Sequence, residues 1–245
     1  MRLTFTTTCH NRLHHLRETY PKNFETTSRY SCVRFVLLDY GSTDGLLNWV
    51  LDSMYDHLTS GRLTYFSTDT EHFNAPHAKN VASLCAEPGV VCNLDADNFI
   101  HKDLVAPMMN EFSKSSRVVC HGWRSAAGRV AMMQHELIRV GGYDEIFGDG
   151  YGYDDVDLVA RVVRLGAFNR VQMPEMDDYL DHSDEERVQF MQIKSKEEST
   201  KRNHARMEEN IRNKRLVVNP NGWGSCLLRK NMSEILTVGV RGTQE

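Results

Sequence analysis

A chain of 245 residues, 40% hydrophobic and 25% charged, can bury a sizeable core, and its composition excludes disordered, collagen-like and disulfide-rich classes. Lys and Arg total 29 against 33 Asp and Glu, a formal net charge of −4, which leaves no global positive field to draw nucleic acid or an anionic membrane surface. The six cysteines lack CxxC spacing and read as free thiols, no apolar run reaches membrane-span length, and Met1-Arg2-Leu3-Thr4 has no signal-peptide apolar region, so a cytosolic protein is expected.

Arg2 to Thr8 predicts a strand, and the polar run Cys9-His10-Asn11-Arg12 opens a helix through Tyr20. Val33 to Leu38, apolar apart from Arg34, predicts a strand that stops at Asp39; the turn Tyr40-Gly41-Ser42-Thr43-Asp44-Gly45 and a helical run from Leu46 to Leu58 follow. Arg62 to Phe66 reads as a third strand, His77 to Ala86 as a helix, and Gly89 to Leu94 as a fourth strand ending at Asp95-Ala96-Asp97. Next come a helix from Lys102 to Phe112, strands at Val118 to His121 and Arg129 to Met133, and a glycine-rich loop at Gly141-Gly142-Tyr143-Asp144-Glu145. Asp154 to Leu165 carries a wide apolar stripe that includes Val156, Val159 and Val163, a buried helix with Gly166 as its cap. Charges of both signs dominate Ser183 to Arg215, as on a solvent-facing helix, and Leu216 to Glu245 shows no decisive period. Strands alternating with helices predict an α/β domain with a mostly parallel central sheet, whose ligands bind beyond the carboxyl ends of the strands.

Two acidic clusters can carry chemistry. In Asp95-Ala96-Asp97 at a strand end, residues i and i+2 share a face, so both carboxylates can converge on a Mg²⁺ or Mn²⁺ ion bridging to a diphosphate; a solvated turn explains the same residues. The run Gly148-Asp149-Gly150-Tyr151-Gly152-Tyr153-Asp154-Asp155-Val156-Asp157 sets four acids and three glycines ahead of a buried helix. Acids there meet the helix dipole and cap free N–H groups, yet capping needs only one or two, and an aspartate at this point can accept a proton from a hydroxyl. Asp157 and Arg161 are spaced as an ordinary i, i+4 pair.

In order and spacing, Thr8-Cys9-His10-Asn11-Arg12, Leu38-Asp39-Tyr40-Gly41-Ser42-Thr43-Asp44-Gly45 and Asn93-Leu94-Asp95-Ala96-Asp97 resemble the opening of family 2 glycosyltransferases of the GT-A, Rossmann-like nucleotide-sugar fold. The loop at Gly141, the run from Gly150 to Leu158, and Phe73-Asn74 with Asn80 are similar to motifs of the β-1,4-galactosyltransferases and chondroitin-type enzymes. The resemblance implies a GT-A catalytic domain over residues 1–182, with a nucleotide-binding half at 1–100 and an acceptor half at 101–182. A helical C-terminal extension over 183–245 would pack on that domain.

By the same resemblance Thr8, Asn11 and Arg12 line the nucleotide pocket, Asp39 lies beside the uridine, Asp95 reaches the ribose and Asp97 binds Mn²⁺ or Mg²⁺ with His182 as a further ligand. Asp155 matches the catalytic base, while Asp154 and Tyr151 match acceptor contacts. Three departures stand out. Tyr40 replaces a second acid and can stack on the base, Ala75 replaces a phosphate-binding arginine whose charge His77 or Lys79 would supply, and Tyr151 replaces a tryptophan. The implied enzyme is a metal-dependent, inverting glycosyltransferase that takes a UDP-sugar and a glycan or other hydroxyl acceptor; a retaining relative is the nearest variant. Rival readings are a nucleotidyltransferase, which would use the same carboxylates for phosphoryl transfer, and a non-catalytic nucleotide-sugar-binding module. A lipid-linked, protein or modified-DNA acceptor remains open. Lys194, Lys196, Lys201 and Arg202 could meet a phosphorylated one, but Glu197 and Glu198 interleave with them, as on a solvated face.

Overall fold

The computed structural model describes residues 1–122, 128–166, 168–173 and 179–242. Four strands, β1 (Leu3–Cys9), β2 (Val33–Tyr40), β3 (Leu63–Thr68) and β4 (Val90–Asn93), pair in parallel in the order β4-β1-β2-β3. Their side chains alternate between two buried layers, which is why apolar and β-branched residues dominate these runs on both faces. Phe35 and Leu37 face one core with Leu16, Tyr20 and Phe24, where the Phe24 and Phe35 rings stack at 4.1 Å; Val36 and Leu38 face the other with Ala78, Val81 and Ala82. Helices α1 (Leu13–Thr26), α2 (Leu46–Ser53), α3 (Tyr55–Thr59) and α4 (Ala75–Leu84) connect these strands.

The chain continues through α5 (Val105–Lys114), β5 (Val118–His121), β6 (Val130–Met133), α6 (Gln134–Arg139), α7 (Asp154–Arg164), β7 (Asn169–Gln172), α8 (Asp184–Val188), α9 (Lys196–Arg212), β8 (Gly222–Lys230) and β9 (Glu234–Arg241). Among the described residues all strands join one sheet, ordered β7-β5-β6-β4-β1-β2-β3-β8-β9. The α/β reading with a central sheet stands. Its parallel character holds in the central four strands and between β5 and β7, whereas β6 pairs antiparallel with β4 and β5, and β8 with β3 and β9.

The expected helical extension over 183–245 needs correction, because the helix stops at Arg212 and the chain returns as the β8–β9 hairpin. β8 covers the outer edge of β3, pairing Phe66 with Lys230 and Ser67 with Arg229, so backbone groups that would stand open at a sheet edge are paired instead. The predicted helix from Leu46 to Leu58 divides at Met54 into α2 and α3. The first helix begins at Leu13 instead of Cys9, because Asn11 takes a left-handed φ of 56° and the Asp44 carboxylate accepts the Leu13 N–H at 2.8 Å.

Candidate active site

A cavity of about 370 Å³ opens beyond the carboxyl ends of β1 and β4 and against the first turn of α7. Thr8, Arg12, Lys79, Asp95, Asp97, Tyr151, Asp154, Asp155 and His182 all line it, so nine expected site residues from five stretches of sequence share one space.

One wall is the acidic turn. β4 ends at Asn93, so Asp95 and Asp97 converge through a turn closed by the Asn98 N–H on the Asp95 carbonyl at 3.0 Å, and not through strand alternation. Helix α1 holds this turn with two residues one helical turn apart: Thr19 donates to the Ala96 carbonyl at 2.7 Å and Asn23 to the Asn98 carbonyl at 3.0 Å. An isolated bridge between Asn98 and Tyr179, with the Leu180 N–H on the Asp97 carbonyl at 2.8 Å, then carries His182 to the turn. His182 Nε2 lies 3.0 Å from Asp97 Oδ2, and both side chains are largely buried. Burial raises the Asp97 carboxyl, but the hydrogen bond and charge of His182, together with the Asn98 amide, outweigh it and leave the group below its ordinary pKa. Nδ1 of His182 is buried without a hydrogen-bond partner among the described residues.

The opposite wall is the start of α7. Gly152 and Tyr153 turn the chain with φ of 87° and 70°, and three acids follow in the first helical turn. Lys79 reaches in from α4, its Nζ 2.7 Å from Asp154 Oδ2 and 2.8 and 3.0 Å from the two oxygens of Asp155. The Asp155 side chain is 15% exposed, toward the cavity, so a ligand can still meet it. Burial first, then the charges of Asp154 and Asp95, push the Asp155 carboxyl up to about 8 against the opposing pull of Lys79. Gly128 brings the two walls together, since a Cβ at this position would fall 2.4 Å from Asp95 Oδ2 and 3.4 Å from Asp155 Oδ2.

Behind α7, Asp157 and Arg161 form the expected pair at 2.6 Å, but fully buried, and Arg161 also binds the Val140 and Gly142 carbonyls of the glycine loop. Asn203 of α9 donates to the Gly152 carbonyl at 2.9 Å, and Asn210 binds both Asp144 and Asp157. The apolar stripe of α7 requires one correction: Val156, 46% exposed, stands at the cavity, while Leu158, Val159 and Val162 are buried.

Asn11, Asp39, Tyr40, His77 and Asn80 do not line the cavity. Asp39 accepts from Tyr65 Oη at 2.6 Å and from the Ser42 N–H at 2.7 Å, and Asn11 accepts from the Thr43 N–H at 2.7 Å, so both brace the turn after β2. The Tyr40 hydroxyl and His77 Nδ1 pair at 2.8 Å, and the other His77 nitrogen meets the Ser225 carbonyl of β8. Asn80 locks α4 to the glycine loop through the Tyr143 backbone and Glu145. In their place the cavity gains His10, His15, Phe73, Arg187, Phe190 and Met191. His10 packs 5.0 Å from the Phe190 ring, over which the Arg12 guanidinium sits at 5.4 Å. Phe190 and Arg187 lie in a charged segment whose sequence signals only solvent exposure; an aromatic ring in such a segment was the one available sign.

The α/β sheet that carries this cavity is of the GT-A class of glycosyltransferase folds, as the family profile and the solved structures show. The Glycosyl transferase family 2 profile matches residues 4–171, more than half of the chain, and the chain belongs to that family. Three solved structures share the fold. A mannosyltransferase, PcManGT from Pyrobaculum calidifontis in complex with GDP-Man and Mn²⁺, is 19% identical with a TM-score of 0.59 over 71% of this chain and 55% of its own. S. aureus TarS is 14% identical, TM-score 0.63, over 87% of this chain and 40% of its own; GalNAc-T7 with UDP, GalNAc and Mn²⁺ is 16% identical, TM-score 0.57, over 74% and 45%. The chain thus spans about half the length of the structures it matches. No curated protein sequence matches it. Among the described residues no helix is long and apolar enough to cross a membrane.

Proposed function

We propose that this chain transfers a sugar from a nucleoside diphosphate sugar, UDP-linked by the motif resemblance, to an acceptor hydroxyl with inversion at the anomeric carbon. The observation that carries the reading is the meeting in one cavity of a reachable acid, Asp155, with the Asp97–His182 pair on the facing wall. The family is one of glycosyl transfer, and a phosphoryl-transfer or purely binding role has no comparable support.

Asp97 and His182 fit a divalent cation: a carboxylate and an imidazole suit Mn²⁺ in donor chemistry, and the buried, unpartnered Nδ1 marks a ring whose Nε2 edge alone faces a polar partner. Among the described residues no group of three His, Cys, Asp or Glu could hold a metal by itself, which leaves further positions for diphosphate oxygens and water. A bound Mn²⁺ or Mg²⁺ would neutralise negative charge on the departing diphosphate. Asp155 accepts the proton of the acceptor hydroxyl as that oxygen bonds to the anomeric carbon, and the bond from this carbon to the diphosphate oxygen breaks with its electron pair leaving on the nucleotide. Tyr151, Tyr153 and Val156 beside the base offer the acceptor an apolar surface, and the His10, Phe73 and Phe190 rings offer the nucleobase a flat one. Calorimetry of UDP and GDP with and without Mn²⁺, with NMR of the product anomer, tests the reading. Metal-independent UDP binding or a retained anomeric configuration counts against it.

A further inference from the structure

We propose that Lys79 is the positioning residue of the base, holding the Asp155 carboxyl group in place, and is not a ligand of the donor diphosphate. The inference rests on the reading of Asp155 as general base. An ammonium has three N–H donors, and three carboxylate oxygens, one of Asp154 and both of Asp155, stand 2.7, 2.8 and 3.0 Å from Nζ. No donor is left for a phosphate. Lys79 itself is 6% exposed, its Nζ sits 5.2 Å over the Tyr143 ring, and its helix cannot shift easily. Asn74 caps α4 by accepting the His77 N–H, and Asn80, the next residue, is bonded on both sides of its amide to the glycine loop.

Among the described residues the groups facing Asp155 are Asp154 on its own helix, Lys79 from α4, Asp95 from the acidic turn and the Tyr143 phenol from the glycine loop. Among the described residues these three carboxylates draw on the Lys79 ammonium. Without it, their mutual repulsion and the low polarity of the wall would push the Asp155 carboxyl further above about 8 and shrink the ionised fraction that can accept a proton. Lys79 also fixes direction, because it grips both oxygens of Asp155 and leaves the cavity-facing edge to the acceptor.

The test compares the full chain with Lys79→Gln, and with Lys79→Met as the second probe should Gln disturb folding. Asp155 is followed by carboxyl ¹³C NMR titration, assigned through Asp155→Asn; UDP binding with Mn²⁺ is measured by calorimetry, and UDP-sugar turnover is recorded against pH. The expected result is a midpoint for Asp155 raised by about 1 to 3 pH units, the rising limb of turnover displaced by the same amount, activity recovering at high pH, and UDP affinity within about twofold of the parent. An unmoved midpoint, or a tenfold loss of UDP affinity with the limb in place, overturns the positioning role and returns Lys79 to the diphosphate. Full turnover by Asp155→Asn overturns the base assignment itself, an outcome distinct from either.

Discussion

The two walls of the cavity handle negative charge in opposite ways. On the α7 wall the acids are answered from within the chain, since Lys79 spans Asp154 and Asp155 at hydrogen-bond distance. Among the described residues the side-chain hydrogen bonds to the Asp97 carboxylate on the acidic-turn wall come from an imidazole and an amide, with the Arg12 guanidinium and the His15 ring interacting at longer range, and the imidazole's second nitrogen has no hydrogen-bond partner. The difference suits the proposed roles: a base is to be kept ready before substrate arrives, whereas a site for a cation and diphosphate is to leave coordination unmet until they bind.

Substitution at each wall should separate the two roles. The largest effect is expected from Asp155→Asn, which should lower the transfer rate by about 10²- to 10⁴-fold while UDP affinity survives, as stopped assays and calorimetry would register. Asp97→Asn should do the converse, weakening Mn²⁺-dependent UDP binding on the order of 10- to 100-fold, with His182→Ala a milder version. Equal UDP affinity in Asp97→Asn, or in chelator, would erase the distinction between the walls. Asn203→Ala removes the amide that holds the Gly152 carbonyl, and should cost about 1 to 3 kcal/mol in chemical denaturation. A loss confined to stability would show that α9 only supports the α7 wall.

Titration sharpens the same contrast at smaller amplitude. Asp155 must be ionised to act, so with its carboxyl near 8 the transfer rate should rise on the order of fivefold between pH 7 and pH 8. The stability sign runs the other way: the folded chain holds a proton that the unfolded chain gives up near 3.8, so Asp155 removes stability as pH climbs from there through about 8. His15, beside His182, is lowered to about 4, first by burial and then by His14. The unfolded chain protonates it near 6.5, so its contribution is intact above that pH and is lost as pH falls through about 4. Denaturation midpoints of His15→Gln and Asp155→Asn across pH 4 to 9 would check both signs.

Much of this was legible in the chain because it is local. Runs of apolar and β-branched residues marked the four parallel strands, and residues at or just past their ends, Thr8 in β1 and Asp95-Ala96-Asp97 after β4, fall at the cavity as strand-end chemistry requires. The acid-rich start of α7 was equally plain. Asp39, Tyr40, His77 and Asn80 stand off the lining of the cavity, with polar groups engaged by Tyr65, by each other and by the glycine loop. Residue type alone cannot report whether a donor or acceptor is already satisfied. Phe190 and Arg187 escaped notice because a charged segment has no period that points inward.

By itself the sequence determined the alternation of strands and helices and the residue types at their ends, since both follow from spacing within a few residues. Only the tertiary structure decided which of those groups meet. Asp97 finds His182 across 85 positions and Lys79 finds Asp155 across 76. The final strands close the sheet edge at β3, where local pattern was ambiguous. Such pairings depend on how the sheet orders its strands and on which polar groups burial leaves unpaired, and a hydrogen bond or ion pair forms only where the folded chain excludes water and brings both partners together.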